Sequence, residues 1–201
     1  MEYLEDFRDD ELSVTISELL VATADSSDPL LDDSVSQLLH AMRTRMEMDV
    51  VFVSEFIDGQ RMFRYVDSAP GAPAIEAGAS SPAEESVCQR IVEGRVPELV
   101  HDLAALPKQD LPEMPFRVGA HLSTPIVLTD KRVYGTLCCF SAAPRQDLVQ
   151  ADLDRLRMCA TLVARKVELS QARGAKEPPP HWKLEPMQPY VSPVWQAPRR
   201  K

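Results

Sequence analysis

Between Glu11 and Thr23 the apolar residues Leu12, Ile16, Leu19 and Leu20 recur at helical spacing, and Ser26, Ser27, Asp28 and Pro29 then break the pattern. A second helix is expected from about Leu30 to Glu47, with Leu31, Val35, Leu38, Leu39, Met42 and Met46 on one stripe. The stretch VVFVSEFIDGQRMFRYVD that follows is rich in β-branched and aromatic residues and is split by Asp58-Gly59. Glycine takes positive φ at little cost, so this pair predicts a hairpin with strands near 50–57 and 61–67. Residues 69–82 are small, with Gly and Pro, and read as a loop. Ser81-Pro82, followed by Glu84 and Glu85, opens a short helix through Val87, Ile91 and Val92 that Gly94 ends.

Residues 97–102 (PELVHD) suggest a short strand, and a polar, proline-broken connection leads from there to Pro115. A second hairpin follows: HLSTPIVLT, a turn at Asp130-Lys131, then RVYGTLCCFS. Pro125 lacks a ladder donor, so its strand must be an edge or carry a bulge there. The last regular element is a helix over 147–171, in which Val149, Leu153, Leu156, Ala160, Val163 and Val167 alternate spacings of four and three. That seam is heptad-like and is expected to form a homodimer interface, with Leu148, Cys159 and Leu162 as a neighbouring strip on the chain's own sheet. The alternative is one wide strip that faces the core.

Charge divides the 201-residue chain into three parts. The formal net charge is −9, but residues 1–33 carry 11 acids against one Arg, while residues 34–173 carry 18 acids against 16 bases. Residues 174–201 are basic, with five bases and two acids, and hold seven of the 17 prolines and both tryptophans, Trp182 and Trp195. Proline fixes φ and removes a donor, so this tail is expected to be extended or disordered. The expected organisation is an acidic N-terminal segment with a short helix (1–29), one domain (30–171) and a proline-rich basic tail (172–201). An acidic body points away from nucleic acid and anionic membrane as partners. The start MEYLEDFRDDEL has no signal-peptide character, and no apolar run approaches a membrane span. Four irregularly spaced cysteines do not make a disulfide scaffold, so a cytoplasmic protein with reduced thiols is expected.

The order helix, hairpin, loop, short helix, short strand, hairpin, long helix resembles that of the GAF domain family. The likeness is carried by DVVFVSEFIDGQRMFRYVDS, SVCQRIVEGRVPELVHD, VGAHLSTPIVLTDKRVYGTLCCFSAAPR and the helix containing LDRLRMCATLVARKVE. It implies an α+β fold: an antiparallel sheet of about six strands with the helices 30–47 and 147–171 packed on one face. A small-molecule pocket is then expected on the other face, beneath the 68–96 segment and the loop near 103–120. Such domains commonly sense small molecules or dimerise through flanking helices and pass the signal to an output module. The sequence has no GGDEF or EAL run, no kinase-type glycine-rich loop and no phosphate loop, so output is expected through a separate partner or a change in assembly.

Positions expected to line the pocket are Tyr65, Cys88, Phe116, His121, Thr124 and Cys138. Tyr65 and Phe116 would give apolar area, with His121 and Thr124 as polar anchors. Cys88 sits on the short helix beside the pocket, but its neighbour is Gln89 and not the His typical of tetrapyrrole-binding relatives, and the cyclic-nucleotide signature is absent. No C-x-x-C or H-x-x-x-H occurs among the four Cys and four His, and Cys138-Cys139 are adjacent in a strand, so no structural zinc is expected; nothing favours haem. Ser123 and His121 share a strand face with no carboxylate placed beside them, and His101 and Asp102 point apart, so no catalytic set emerges. The leading expectation is a non-catalytic sensory or regulatory module whose ligand is unknown. The alternatives are a thiol-based redox sensor or methionine sulfoxide reductase-like enzyme using Cys88, tested first as a pair with Cys138, and a pure interaction scaffold.

Overall fold

The computed structural model describes residues 31–174. The helix expected at 11–23 and the proline-rich tail lie outside the described residues. The elements in chain order are α1 (Leu31–Met46), β1 (Val50–Ile57), β2 (Gln60–Ser68), β3 (Ser80–Pro82), α2 (Val87–Val92), β4 (Leu99–Val100), β5 (His121–Val127), β6 (Val133–Phe140) and α3 (Gln150–Gly174). The strands form one antiparallel six-stranded sheet in the order β3-β2-β1-β6-β5-β4.

The local sequence explains most of the corners. Asp58 and Gly59 both have positive φ (49° and 73°), the two-residue turn whose twist suits a hairpin. At the second hairpin Lys131 takes φ 71°, and the Asp130 carboxylate accepts the Arg132 N–H at 3.0 Å. Helix α1 closes on Glu47 at φ 50°: the Met48 N–H reaches back to the Arg43 carbonyl at 3.1 Å, and Met48 is buried. Arg145 then fastens this end to the start of α3, with Nη1 donating to the Glu47 carbonyl at 2.9 Å and Nη2 to the Asp147 carboxylate at 2.6 Å.

The two faces of the sheet are buried in different ways. Val51 and Val53 of β1, Leu122 and Ile126 of β5, and Leu137 and Cys139 of β6 pack beneath α1 and α3. Val50 and Phe52, Cys138 and Phe140 face the other way, beneath α2 and the 96–118 segment. Cys138 and Cys139 therefore point to opposite faces, as period-two alternation requires.

Three details differ from the sequence reading. The loop over 69–82 ends in a strand, Ser80–Pro82, paired with Gln60, Arg61 and Met62; three residues are too short to show alternation, and the sheet edge tolerates Pro82. The short helix is capped at Ser86, whose Oγ accepts the Gln89 N–H at 3.1 Å, and a 3-10 turn over Ala83–Glu85 precedes it. Helix α3 starts at Gln150, leaving Val149 outside it and 54% exposed.

The seam on α3 requires a correction. Leu153, Leu156, Ala160 and Val163 are buried in the chain's own core, and Val167 packs against it. Side chains already covered by the sheet cannot also form a homodimer interface, so four of the six expected interface positions, Leu153, Leu156, Ala160 and Val163, are taken up by the chain's own core, while Val149 is exposed and Val167 partly buried. Leu148 and Cys159 are buried in the same cluster, which makes one wide strip facing the core. Pro125 behaves as expected: β4 reaches only Leu122 and His121, so β5 is an edge at Pro125, and the bulge falls one residue later.

Candidate functional site

A cavity of about 360 Å³ lies on the face away from α1 and α3. Its walls are aromatic. Phe52 meets Phe63 edge-on at 5.0 Å between ring centres and Phe140 at 6.4 Å, and Phe116 stacks on Phe140 at 5.6 Å. Phe52, Phe63 and Phe140 come from three adjacent strands, and Phe116 from the long connection before β5.

Three polar side chains enter this apolar space. The Arg61 guanidinium lies 4.6 Å above the Phe63 ring, and its Nη2 donates to Ser81 Oγ at 2.9 Å. Its Nη1 stands 3.8 Å from Cys88 Sγ. His121, 4% exposed, lines the cavity from the start of β5. Among the described residues, His121 Nδ1 and Arg61 Nε are buried without a hydrogen-bond partner. Buried polar nitrogens in that state are costly; Arg90 Nε, outside the cavity lining, shares it. The exposed glutamates Glu76, Glu85 and Glu113 also line the cavity.

Behind that wall two sulfurs meet. Cys88 Sγ, from α2, is 3.3 Å from Cys138 Sγ, from the middle of β6. Cys138 Sγ is also 2.9 Å from Ser123 Oγ and 3.1 Å from Thr136 Oγ1, and Thr136 Oγ1 is 2.8 Å from Ser54 Oγ. Donor atoms of Cys88, His121 and Cys138 all lie within 4.8 Å of one another. The hydrogen bond from Cys138 holds the Cys88 thiol well below the ordinary thiol range, overcoming burial, with smaller help from His121 and the Arg61 cation. Burial, and then the neighbouring Cys88, push Cys138 the other way. The two shifts run in opposite directions, so of the pair Cys88, the sulfur nearer Arg61, is the one favoured as thiolate. Cys139 and Cys159, on the helix side, are both pushed up to about 12 by burial.

Of the six positions expected to line the pocket, Cys88, Phe116 and His121 do so. Cys138 sits against Cys88 in the same apolar cluster. Tyr65 and Thr124 do not face the cavity. In β2 a bulge leaves Arg64 without a partner in β1, so Phe63 lies opposite Ser54 while Tyr65 lies opposite Val53 and packs on the helix-side core. Thr124 falls between Leu122 and Ile126, both of which face the helices, and alternation sends it the opposite way from His121 and Ser123. Sequence reading missed Arg61 and the three strand phenylalanines. Alternation from Cys138 to Phe140, and across the ladder from Cys138 to Phe52, carried the signal for two of them.

A family model described as GAF domain matches residues 30–168, so the fold and the sequence agree and the chain belongs to the GAF domain family. Similar solved structures include the GAF domain of an Acinetobacter phosphoenolpyruvate-protein phosphotransferase (14% identity, 88% of this chain and 100% of that one, TM-score 0.65). Another is the free methionine-R-sulfoxide reductase of Neisseria meningitidis in complex with its substrate (15%, 81% and 91%, TM-score 0.63). A third is the phycocyanobilin-bound GAF domain of a cyanobacterial phytochrome (15%, 83% and 98%, TM-score 0.61). At these identities the likeness shows the fold. No curated protein matches the chain significantly. Among the described residues no helix is long and apolar enough to cross a membrane.

Proposed function

We propose that this protein is a small-molecule-sensing module of a signalling system, with the aromatic cavity as its ligand site. The observation that carries this reading is the cavity's make-up: about 360 Å³ of space walled by four phenylalanines, into which Arg61, His121 and Cys88 converge. Ligand sites of this kind combine a large apolar lining with a few polar anchors. The matching guest has a flat or branched apolar body and an acceptor or anionic group directed at Arg61 and His121. The glutamates at the lining disfavour a second anionic group near them and suit a donor-bearing end. Output passes to a separate protein or to a change in assembly; any pairing of copies must use a face other than the buried α3 seam.

A second reading is favoured by the 3.3 Å approach of Cys88 and Cys138. Here the pair is a two-electron redox couple. The Cys88 thiolate attacks an oxidised guest XO, such as a hydroperoxide or sulfoxide, releasing X and leaving a sulfenic acid; the Cys138 thiol displaces water to form the disulfide. Two thiols and XO thus give one disulfide, X and one water.

One experiment addresses both readings. Native mass spectrometry of the full chain, purified without reconstitution, should show a one-to-one complex with a small molecule that is lost in Arg61→Ala. The chain mass alone in every preparation would refute the sensing reading. Hydroperoxide-treated, unreduced chain should lose the mass of two hydrogens, regained with reductant, and an unchanged mass would remove the redox reading.

A further inference from the structure

We infer that Cys88, His121 and Cys138 form a binding site for one thiophilic d10 metal ion, Zn2+ or Cu+, with a coordination position left open to the cavity. The three donors are separated in sequence by 32 and 16 residues and follow no metal-binding spacing. The fold brings them within 4.8 Å by setting α2 over the β5–β6 pair. Two thiolates and an imidazole are the donor set that soft and borderline d10 ions take.

Several independent features fit an ion at this point. His121 Nδ1 is buried and without a partner, so one imidazole nitrogen is free of competing hydrogen bonds. Both sulfurs are surrounded by groups that can support negative charge. Around Cys138, the Ser123 hydroxyl can donate directly, and a chain from Ser54 O–H to Thr136 and from Thr136 O–H to the sulfur is available once the hydroxyls turn. Arg61 plays this part for Cys88. Charge also balances: Zn2+ neutralises two thiolates, and the single negative charge of a Cu+ dithiolate matches the Arg61 cation. Loading releases the thiol protons that remain on the pair and requires no oxidant.

The geometry requires one adjustment. Two sulfurs bound tetrahedrally to zinc at ~2.3 Å stand about 3.8 Å apart, so the present 3.3 Å must open by about half an ångström. Cys88 rides on a six-residue helix at the cavity wall, the element best placed to move. Because Cys88 and His121 both line the cavity, a guest entering there would meet the metal directly, as in zinc sites that keep an open position.

The test uses the full chain, chelator-treated and reduced. Titration with Co2+, a spectroscopic stand-in for Zn2+, should give one equivalent bound, with a sulfur-to-cobalt charge-transfer band and the visible bands of a tetrahedral centre. Zn2+ should displace it. In a separate anaerobic arm, Cu+ should be held at one equivalent against bicinchoninate. Retention of either ion supports the site and identifies the ion. Cys88→Ser and His121→Ala should each weaken binding at least ~tenfold, while Cys159→Ser should bind as wild type does. Absence of the charge-transfer band together with retention of neither ion would overturn the proposal, as would wild-type affinity in Cys88→Ser. Should the variants fail to fold, X-ray absorption on the zinc-loaded wild-type chain decides: two sulfurs at ~2.3 Å support the site, and an oxygen and nitrogen shell alone overturns it. The site does not depend on an organic guest, so an empty cavity in the native mass spectrum leaves it standing.

Discussion

Gly135 shows how one missing side chain shapes the sheet. A Cβ added there would stand 1.8 Å from the Ser54 carbonyl oxygen and 2.8 Å from the Glu55 Cα, both backbone atoms of the paired strand β1. Backbone in a central ladder cannot step aside as a flexible side chain can, so Gly135→Ala must force β1 and β6 apart. The expected cost is about 3 kcal/mol, read as a lower urea midpoint with an unchanged slope. At this scale the sequence was informative where chemistry is local: Asp58-Gly59 announced its turn, and Pro125 its edge. It was silent at the bulge beside Arg64, where one extra residue reverses the alternation and carries Tyr65 from the cavity face to the helix face. Thr124 needed no bulge; its position between Leu122 and Ile126 already placed it opposite His121.

Helix α3 shows what periodicity can and cannot tell. Spacings of four and three fixed which side of the helix is apolar, but a coiled-coil seam and a sheet-facing strip share that pattern. What separates them is the covering surface. Here Leu153, Leu156 and Val163 are 4%, 0% and 1% exposed, whereas Met158, on the other side, is 54% exposed. Leu156→Ala should therefore lower unfolding free energy by about 2–5 kcal/mol, because it removes a fully buried side chain and leaves a cavity. Met158→Ala should change it by less than ~0.5 kcal/mol. Equal, small effects at both positions in a denaturant titration would mean that the strip is not packed on this sheet.

For the molecule as a whole, the order of elements was legible because each is marked by its own short-range pattern, and that order leads to the six-stranded sheet with α1 and α3 on one face. The cavity was legible in part. Cys88, His121 and Cys138 lie on a helix, the start of one strand and the middle of another, and only the β5–β6 register and the placement of α2 join them. No local spacing encodes that meeting. Arg61 escaped because a lone cation in an alternating strand reads as surface, while here it lies over Phe63 and beside a sulfur. The formal charge of −9 likewise describes the N-terminal 33 residues more than the GAF domain, whose cavity holds the Arg61 cation beside a thiol shifted downward.

The central claim is that the functional site is this sulfur-lined cavity, with Cys88 its reactive face. Cysteine-resolved alkylation kinetics on the reduced, chelator-treated chain test it most directly. Thiols pushed up to about 12, as Cys139 and Cys159 are, hold roughly three thousandfold less thiolate near neutral pH than an ordinary thiol of pKa ~8.5. Cys88 is shifted downward, so its thiolate persists as the pH falls below the ordinary thiol range and is lost only through its own lower value. Its alkylation should accordingly be the fastest of the four cysteines and should fall less steeply between pH 8.5 and 7 than that of an ordinary thiol, which slows more than tenfold. A Cys88 that reacts as slowly as Cys139 and Cys159 across that range would contradict the account.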